Sequence, residues 1–128
     1  MKKVVLAFQL LFIIIAAGCR NIETSSAAVA AENYLYALAE KDKARVVALS
    51  CKEWEESATL EVDALLSVEA KVVDLSCEVT AENVDDSQVI CSGSLDLTYN
   101  DEIRTIDLSR RTYFLRKEDG QWRVCSYK

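Results

Sequence analysis

The sequence predicts an α+β fold in which three N-terminal helices precede a four-stranded antiparallel sheet. Apolar residues recur at intervals of three and four residues between positions 27 and 65, which is the spacing of an amphipathic helix. From position 68 onward apolar and polar residues alternate, as they do in strands with one buried face. Because short polar turns separate the strands, we expect an antiparallel meander with the helices on one face.

The first two helices are predicted from an alanine-rich stretch and an aspartate. Residues 27–40 form the first helix, which Thr24, Ser25 or Ser26 can cap. Its predicted buried face consists of Ala27, Ala31, Tyr34, Leu35 and Leu38. Asp42 is expected to cap a second helix that continues to about Leu49. Its predicted apolar side consists of Ala44, Val47, Ala48 and Cys51.

A third helix is expected after Ser50, because Ser50 and Glu53 have the spacing of a capping box. Its predicted buried face consists of Trp54, Ala58, Val62 and Leu65. Glu53, Glu55 and Glu56 offer the alternative of paired catalytic carboxylates. Consecutive positions on a helix diverge, so we interpret them as a charged helix face.

The first predicted strand changes phase in its middle. The apolar set is first Val68, Ala70 and Val72, and then Val73, Leu75, Cys77 and Val79. A shift of one residue inside a strand is the effect of a β-bulge. Residues 80–86 are expected to form a turn. Its polar residues Asn83, Asp85 and Asp86 lack the loop pattern of a calcium site.

Three further strands complete the predicted sheet. Residues 89–99 alternate cleanly, and a turn follows at 100–102. Residues 103–116 are predicted to form one long strand, whose uneven pattern indicates a second bulge near Ser109–Arg111. The Asp119-Gly120 pair predicts a hairpin turn before the last strand, residues 122–127.

Residues 1–18 have the composition of an export signal. Lys2 and Lys3 precede an uncharged, largely apolar run that ends in Ala16-Ala17-Gly18-Cys19. A basic start, an apolar centre and small residues at the end are typical of a secretory signal. The run is short for a membrane-spanning helix, which needs about 20 apolar residues. A plain cleaved signal and an uncleaved anchor are the alternatives to a lipoprotein signal.

The Ala-Gly-Cys ending resembles the lipobox of bacterial lipoproteins. This resemblance implies cleavage before Cys19, a thioether link from Cys19 to diacylglycerol, and an acyl chain such as palmitate on the new amine. Residues 19–26 would then be the lipidated cysteine and its tether, and residues 27–128 the folded domain. Each CH₂ of an acyl chain that is buried in the membrane contributes about 0.8 kcal/mol to the free energy of membrane binding. We therefore expect a domain anchored in the bacterial cell envelope, on the extracytoplasmic side of a membrane.

The charge of the chain argues against two classes of partner. The formal net charge is −6, and since the signal contains only Lys2 and Lys3, the remainder is more acidic still. An acidic domain is a poor match for nucleic acid and for anionic lipid headgroups. The chain has no histidine, which removes the commonest general base and the commonest metal ligand. We predict no cofactor and no metal site.

Four cysteines remain besides Cys19, and an even set in an exported chain indicates disulfides. Three pairings are open. We favour Cys77–Cys91, because these residues are equidistant from Val84 in the middle of a hairpin turn and should be direct cross-strand neighbours. Cys51–Cys125 follows by elimination. A site that binds a metal through all four cysteines is the alternative, but it lacks the usual ligand spacing.

Several segments together resemble the nuclear-transport-factor-2-like, or cystatin-like, superfamily. They are Tyr34-Leu35-Tyr36-Ala37-Leu38, Asp42 at the start of the second helix, and the ending from Glu118 to Val124. The resemblance implies a cone-shaped domain in which a curved sheet wraps over the helices and encloses a cavity. Some members of this superfamily are isomerases, dehydratases or hydrolases, and others only bind ligands or proteins. We transfer no catalytic residue, because fold does not determine function.

A pocket in such a cone would be lined by large aromatic side chains and an arginine. The candidates are Tyr34, Trp54, Arg111, Tyr113 and Trp122. The alternative is that the aromatic residues are plain core. The arginines are Arg104, Arg110, Arg111, Arg116 and Arg123. For them we favour surface pairs with Asp96, Asp101, Asp107 and Glu118.

We expect a membrane-tethered domain without catalysis that binds a small hydrophobic ligand or a protein. The alternative is a small-molecule isomerase or dehydratase that uses a buried carboxylate and a tyrosine. It requires a carboxyl deep in the cavity with a raised pKa. A third hypothesis is a cystatin-like inhibitor or assembly factor, which needs an exposed apolar patch.

Overall fold

The computed structural model describes residues 26–128. The predicted export signal, Cys19 and most of the tether therefore lie outside the described residues. Three helices precede five strands. Their bounds are α1 Ala27–Ala39, α2 Lys43–Ala48, α3 Glu55–Ala64, β1 Glu69–Glu82, β2 Asp86–Tyr99, β3 Glu102–Asp107, β4 Thr112–Glu118 and β5 Gln121–Tyr127. The α+β prediction is confirmed. Within residues 26–128, no helix is both long and apolar enough to cross a membrane.

The sheet is antiparallel and has five strands, where the sequence predicted four. β2 is the central strand and pairs with β1 along most of its length. On its other side it pairs first with β4 and then with β3, and β5 pairs with β4. Consecutive strands are therefore neighbours in space, apart from β3 and β4, which lie end to end beside β2.

The extra strand arises because the predicted single strand at residues 103–116 is broken. A 3₁₀ turn, Leu108–Arg110, separates β3 from β4 where a bulge was predicted. The Asp107 carboxylate accepts a hydrogen bond from the Ser109 backbone N–H at 3.0 Å and one from the Ser109 hydroxyl at 2.6 Å. The turn buries Leu108 completely, so the break brings one more apolar side chain into the core.

The predicted bulge in β1 is confirmed. Val73 pairs with Ser94 and Ser76 pairs with Ser92, so two residues of β1 face the single residue Gly93 of β2. Asp74 and Gly93 both adopt positive φ, at 50° and 97°. The extra residue restores the alternation, and Val72 and Leu75 both pack against the core.

The helix starts follow the sequence. Ser26 caps α1 by accepting a hydrogen bond from the Val29 N–H at 3.2 Å, and Asp42 caps α2 through the Arg45 N–H at 3.1 Å. The predicted buried face of α1 is buried throughout. The predicted face of α2 is wrong. Val46 is its buried residue, whereas Val47 is only half-buried and Ala44 and Ala48 are exposed. Cys51 is buried as predicted, but it lies beyond the end of the helix.

The capping box predicted at Ser50 and Glu53 is also wrong. The buried Ser50 hydroxyl donates to the Val46 carbonyl at 2.7 Å, and Glu53 pairs with Arg116 instead. A 3₁₀ turn, Lys52–Trp54, follows Cys51, and α3 begins only at Glu55. The loop before this turn joins the sheet edge, because the Cys51 N–H donates to the Val124 carbonyl at 2.8 Å.

Candidate functional site

Glu61 on α3 is a half-buried carboxyl beside the core. Its neighbours Ala58, Val62 and Leu65 on the same helix are buried. Burial raises the pKa of Glu61 above the ordinary value of a glutamate, and this is the largest influence on it. The Arg111 guanidinium, and hydrogen bonding with Tyr127 and Tyr34, lower the pKa but do not cancel the effect of burial.

Tyr34 reaches Glu61 from α1. It lies on the buried face of that helix and is itself fully buried. The Trp54 indole N–H, from the 3₁₀ turn before α3, donates to the Tyr34 hydroxyl at 3.2 Å. Burial raises the pKa of Tyr34, and the negative charge of Glu61 raises it further. The phenol therefore keeps its proton at neutral pH.

Tyr113 and Tyr127 approach from the sheet. They are direct partners across β4 and β5, and their ring centroids are 5.6 Å apart. Arg111, just before β4, places its guanidinium carbon 4.5 Å from the centroid of the Tyr127 ring, within cation–π range. Trp54 also packs edge-on against the Tyr127 ring, with the two ring centroids 5.9 Å apart.

The Tyr113 hydroxyl has no hydrogen-bond partner in the described part of the chain, although it is completely buried. Burial raises the pKa of Tyr113, and hydrogen bonding with Arg111 and the charge of Arg111 lower it, although no atom of Arg111 meets the hydroxyl with regular hydrogen-bond geometry. Most buried polar atoms in proteins are hydrogen-bonded, so an exception calls for an explanation. An ordered water, a bound molecule or a small movement of the Arg111 guanidinium would each supply a partner.

We refer to Tyr34, Trp54, Glu61, Arg111, Tyr113 and Tyr127 as the Glu61 cluster. The cluster offers hydroxyl and indole donors, one cation and one carboxyl with a raised pKa. Such a set can hold an acceptor oxygen of a ligand against the aromatic rings. A carboxyl with a raised pKa can also exchange a proton near neutral pH.

Four of the five candidate pocket residues meet in the Glu61 cluster: Tyr34, Trp54, Arg111 and Tyr113. Trp122 does not belong to it. It lies at the opposite end of β5 from Tyr127 and packs in the core, and the Lys117 ammonium is 5.2 Å from its ring centroid.

Sequence reasoning missed Glu61 and Tyr127. Helical spacing contains a signal for Glu61, which follows Ala58 by three residues and precedes Leu65 by four, and so falls on the edge of the predicted buried face. Tyr127 falls on the same face of β5 as Val124 only because of a bulge opposite Phe114 and Leu115. No alternation rule predicts this placement.

Three of the other arginines form surface ion pairs. Arg110 pairs with Asp107 at 3.7 Å, Arg123 with Glu118 at 3.8 Å, and Arg116 with Glu53 at 2.7 Å. Of the predicted partners, Asp107 and Glu118 take part. Arg111 instead enters the Glu61 cluster, because its position after the 3₁₀ turn directs it toward Tyr127.

The four cysteines lie in the favoured pairs. Cys77 and Cys91 are direct partners across β1 and β2, with Cα atoms 4.0 Å apart. Cys51 and Cys125 connect the loop after α2 to β5, with Cα atoms 4.9 Å apart. Both pairs are disulfide-bonded in the structure.

A separate cavity of about 510 Å³ opens away from the Glu61 cluster. Its walls include the consecutive β4 residues Phe114, Leu115 and Arg116. Glu53 and Cys125 also line it. No member of the Glu61 cluster does.

No family model and no curated protein matches the sequence. Solved structures do match. A putative calcium/calmodulin-dependent protein kinase II association domain from Xanthomonas campestris is 16% identical, with a TM-score of 0.62 over 78% of this chain and 81% of that chain. An NTF2-like protein with a cystatin-like fold from Novosphingobium aromaticivorans is 12% identical, with a TM-score of 0.58 over 78% of this chain and 75% of that chain.

The chain has the NTF2-like fold. At these identities the similarity concerns the fold alone, so the expected fold is confirmed and the activity is not addressed. In this NTF2-like domain, the Glu61 cluster lies where α1, α3 and the 3₁₀ turn before α3 meet the ends of β4 and β5.

Proposed function

We propose that this protein is a lipid-anchored binding domain of the bacterial cell envelope. Its ligand is a small, largely apolar molecule with an acceptor oxygen, and the Glu61 cluster is the binding site. Cys19 carries the lipid on the extracytoplasmic side of the membrane. The observation that carries the proposed binding is the buried Tyr113 hydroxyl, which has no partner among the described residues.

An unpaired buried hydroxyl costs about 1–3 kcal/mol. A ligand carbonyl or carboxylate oxygen that accepts from Tyr113 removes this cost. Arg111 lies beside the same hydroxyl and lowers its pKa, so an oxygen with partial or full negative charge is favoured there. Trp54 and Tyr127 supply apolar surface for the body of the ligand. Both are only half-buried, so a ligand would enter the cluster by displacing one of these rings.

The test uses 8-anilino-1-naphthalenesulfonate, an aromatic probe with acceptor oxygens. Trp122→Phe leaves Trp54 as the only tryptophan, so energy transfer from Trp54 reports binding of the probe to the domain, and the effect of Tyr113→Phe assigns that binding to the cluster. Tyr113→Phe in this background is expected to weaken binding about fivefold, the loss of one hydrogen bond of about 1 kcal/mol.

The matched control for Tyr113→Phe is Tyr36→Phe, which removes an exposed hydroxyl from α1 and is expected to leave the affinity unchanged. Equal affinities in the two variants, or an absence of energy transfer from Trp54, would contradict the proposed site.

The second candidate is an enzyme, and the raised pKa of Glu61 favours it. Glu61 would remove a proton beside a carbonyl, while a tyrosine hydroxyl donates to the carbonyl oxygen. A small β,γ-unsaturated ketone is a suitable probe, because its isomerisation changes ultraviolet absorption. The binding domain predicts no turnover above buffer. Turnover that Glu61→Gln abolishes, with probe affinity retained, would establish the enzyme.

A further inference from the structure

Cys51, Glu53 and Cys125 form a second group of chemically active side chains, outside the Glu61 cluster. One ligand atom from each lies within 4.8 Å of the other two. Among residues 26–128, no other three cysteine and acidic side chains meet in this way. Cys51 and Glu53 belong to the loop and turn before α3, whereas Cys125 lies 74 residues from Cys51 on β5. The fold brings these three residues together, and no sequence motif predicts the group.

We propose that Cys51, Glu53 and Cys125 bind a soft divalent metal ion, of the class of Zn²⁺ and Cd²⁺, when the Cys51–Cys125 disulfide is reduced. Two small-molecule thiols reduce it. Their sulfurs become joined to each other, and each cysteine gains a thiol proton. Each thiol then loses that proton to solvent as its sulfur binds the ion. Thiolates are the ligands that select soft ions.

Two features of the surroundings suit a metal site. Glu53 and Cys125 line the cavity of about 510 Å³ beside β4. Three protein ligands beside an open space leave the fourth tetrahedral position to water or to a second ligand. The cavity therefore gives the ion a route from solvent.

The junction that holds the cysteines does not depend on their disulfide. The Cys51 N–H donates to the Val124 carbonyl at 2.8 Å, and the Val124 N–H donates to the Leu49 carbonyl at 2.8 Å. These backbone bonds tie the loop to β5 on either side of Ser50. After reduction, these hydrogen bonds still hold the backbone of the loop beside that of β5.

Arg116 competes for Glu53, because its Nη1 lies 2.7 Å from Glu53 Oε1. The competition is incomplete. Only one carboxylate oxygen makes this contact, and Arg116 also has Asp86 at 3.6 Å as a second partner. Glu53 can thus bind the ion through its other oxygen while Arg116 orients it, as neighbouring groups do at many metal sites.

The experiment titrates Cd²⁺ into the reduced full chain, purified in detergent, and follows the ultraviolet absorption of cadmium–thiolate bonds. A two-thiol variant, Cys19→Ser with Cys77→Ser and Cys91→Ser, retains only Cys51 and Cys125. Its mirror variant, Cys19→Ser with Cys51→Ser and Cys125→Ser, retains only Cys77 and Cys91. The two variants have equal numbers of thiols, and only the Cys51–Cys125 pair has Glu53 beside it. The Glu53→Gln substitution isolates the contribution of the carboxylate.

We expect the two-thiol variant to bind one Cd²⁺ per chain at least about tenfold more tightly than the mirror variant. Adding Glu53→Gln should weaken its binding about tenfold or more. Absence of the cadmium–thiolate absorption in the two-thiol variant would overturn the proposal. So would equal affinity in the mirror variant, or in the variant with Glu53→Gln.

A second measurement avoids the serine substitutions, which can affect folding. In the reduced chain with all its cysteines, Cd²⁺ is expected to slow re-formation of the Cys51–Cys125 disulfide more than that of Cys77–Cys91. Mass spectrometry of alkylated, unreduced digests separates the two. Equal slowing of both disulfides would show that the ion has no preference for the site with Glu53, and the proposal would fail.

Discussion

At the scale of single residues, Glu61 is a carboxyl whose surroundings disfavour its charged form. It brings a carboxyl to the boundary of the core, next to three tyrosines whose pKa values burial also raises. Arg111 offsets part of the cost of burying the charge. An uncharged side chain at this position would make the domain more stable. A carboxyl that is present despite this cost is the pattern expected at a functional site.

Glu61 makes the stability of the domain depend on pH. Its pKa is raised in the folded chain, so the folded state holds the proton at pH values where the unfolded state has released it. Its contribution is complete below the unfolded pKa and declines as pH rises through the folded pKa. Glu61→Gln should therefore gain stability relative to the unsubstituted chain as pH rises through that interval.

Urea unfolding, monitored by circular dichroism from acidic to neutral pH, measures this difference. Glu56→Gln changes an exposed glutamate of the same helix and is the control. A difference between Glu61→Gln and the unsubstituted chain that does not change with pH would contradict the raised pKa.

Tyr34, Trp54 and Trp122 show what sequence periodicity can and cannot predict about a single side chain. Tyr34 and Trp54 could be selected because helical spacing directs both toward the core, and the structure brings them within hydrogen-bonding distance. Trp122 satisfied the same kind of pattern, yet it packs away from the Glu61 cluster. A pattern assigns a side chain to a face, whereas membership of a site also depends on its position along the element.

At the scale of elements, the bulge between β1 and β2 has a specific requirement at Gly93. A Cβ at this position would lie 2.5 Å from the carbonyl oxygens of both Val73 and Asp74. The backbone φ of 97° is also one that other residues rarely adopt. The bulge permits Val72 and Leu75 to share the core, so a glycine opposite it is needed for the register of the longest strand pair.

Gly93→Ala is expected to lower the free energy of unfolding by about 2–3 kcal/mol, because it combines backbone strain with a backbone clash. Gly120→Ala is the matched control. Gly120 also has positive φ, at 74°, but no atom lies within 4 Å of the added Cβ, so a loss of about 1 kcal/mol is expected. Urea unfolding of both variants tests this, and equal losses would refute the close approach at Gly93.

Elements differ in how well the sequence determines them. The buried face of α3 could be predicted because Ala58, Val62 and Leu65 repeat at helical spacing. The break between β3 and β4 could not, because an interruption of alternation fits a bulge and a 3₁₀ turn equally well. Only the hydrogen bonds of Asp107 to Ser109 and the burial of Leu108 distinguish the two.

At the scale of the whole molecule, the order of contacts along α1 fixes where Ser26, the first described residue, lies relative to the sheet. Near the end of α1, the Lys41 ammonium donates to the Val68 carbonyl just before β1, at 2.5 Å. Earlier in α1, Glu32 accepts from the Cys77 N–H in the middle of β1, at 2.9 Å. The helix therefore runs opposite to β1, and Ser26 lies toward the end of β1 that contains Glu82. The exposed Tyr99 and Ile103 lie at the other end.

The predicted anchor and the two disulfides can be tested together by mass spectrometry. Protein from its native membrane fraction is digested without reduction. We expect an N-terminal peptide that begins at Cys19 and carries lipid, with linked peptides for Cys77/Cys91 and for Cys51/Cys125. A chain with Cys19→Ser should yield no lipidated peptide. An unmodified peptide beginning at Met1, together with free thiols at Cys51, Cys77, Cys91 and Cys125 in the other peptides, would contradict the anchor and the exported location.

The most direct test of the proposed binding site is a high-resolution crystal structure of the protein purified from its native membrane. We expect a small non-protein molecule in the Glu61 cluster, with an acceptor atom at a hydrogen-bonding distance of about 3 Å from the Tyr113 hydroxyl and apolar atoms against Trp54 or Tyr127. A Tyr113 hydroxyl bonded to a group of the protein itself, in a cluster closed by its own side chains, would contradict it.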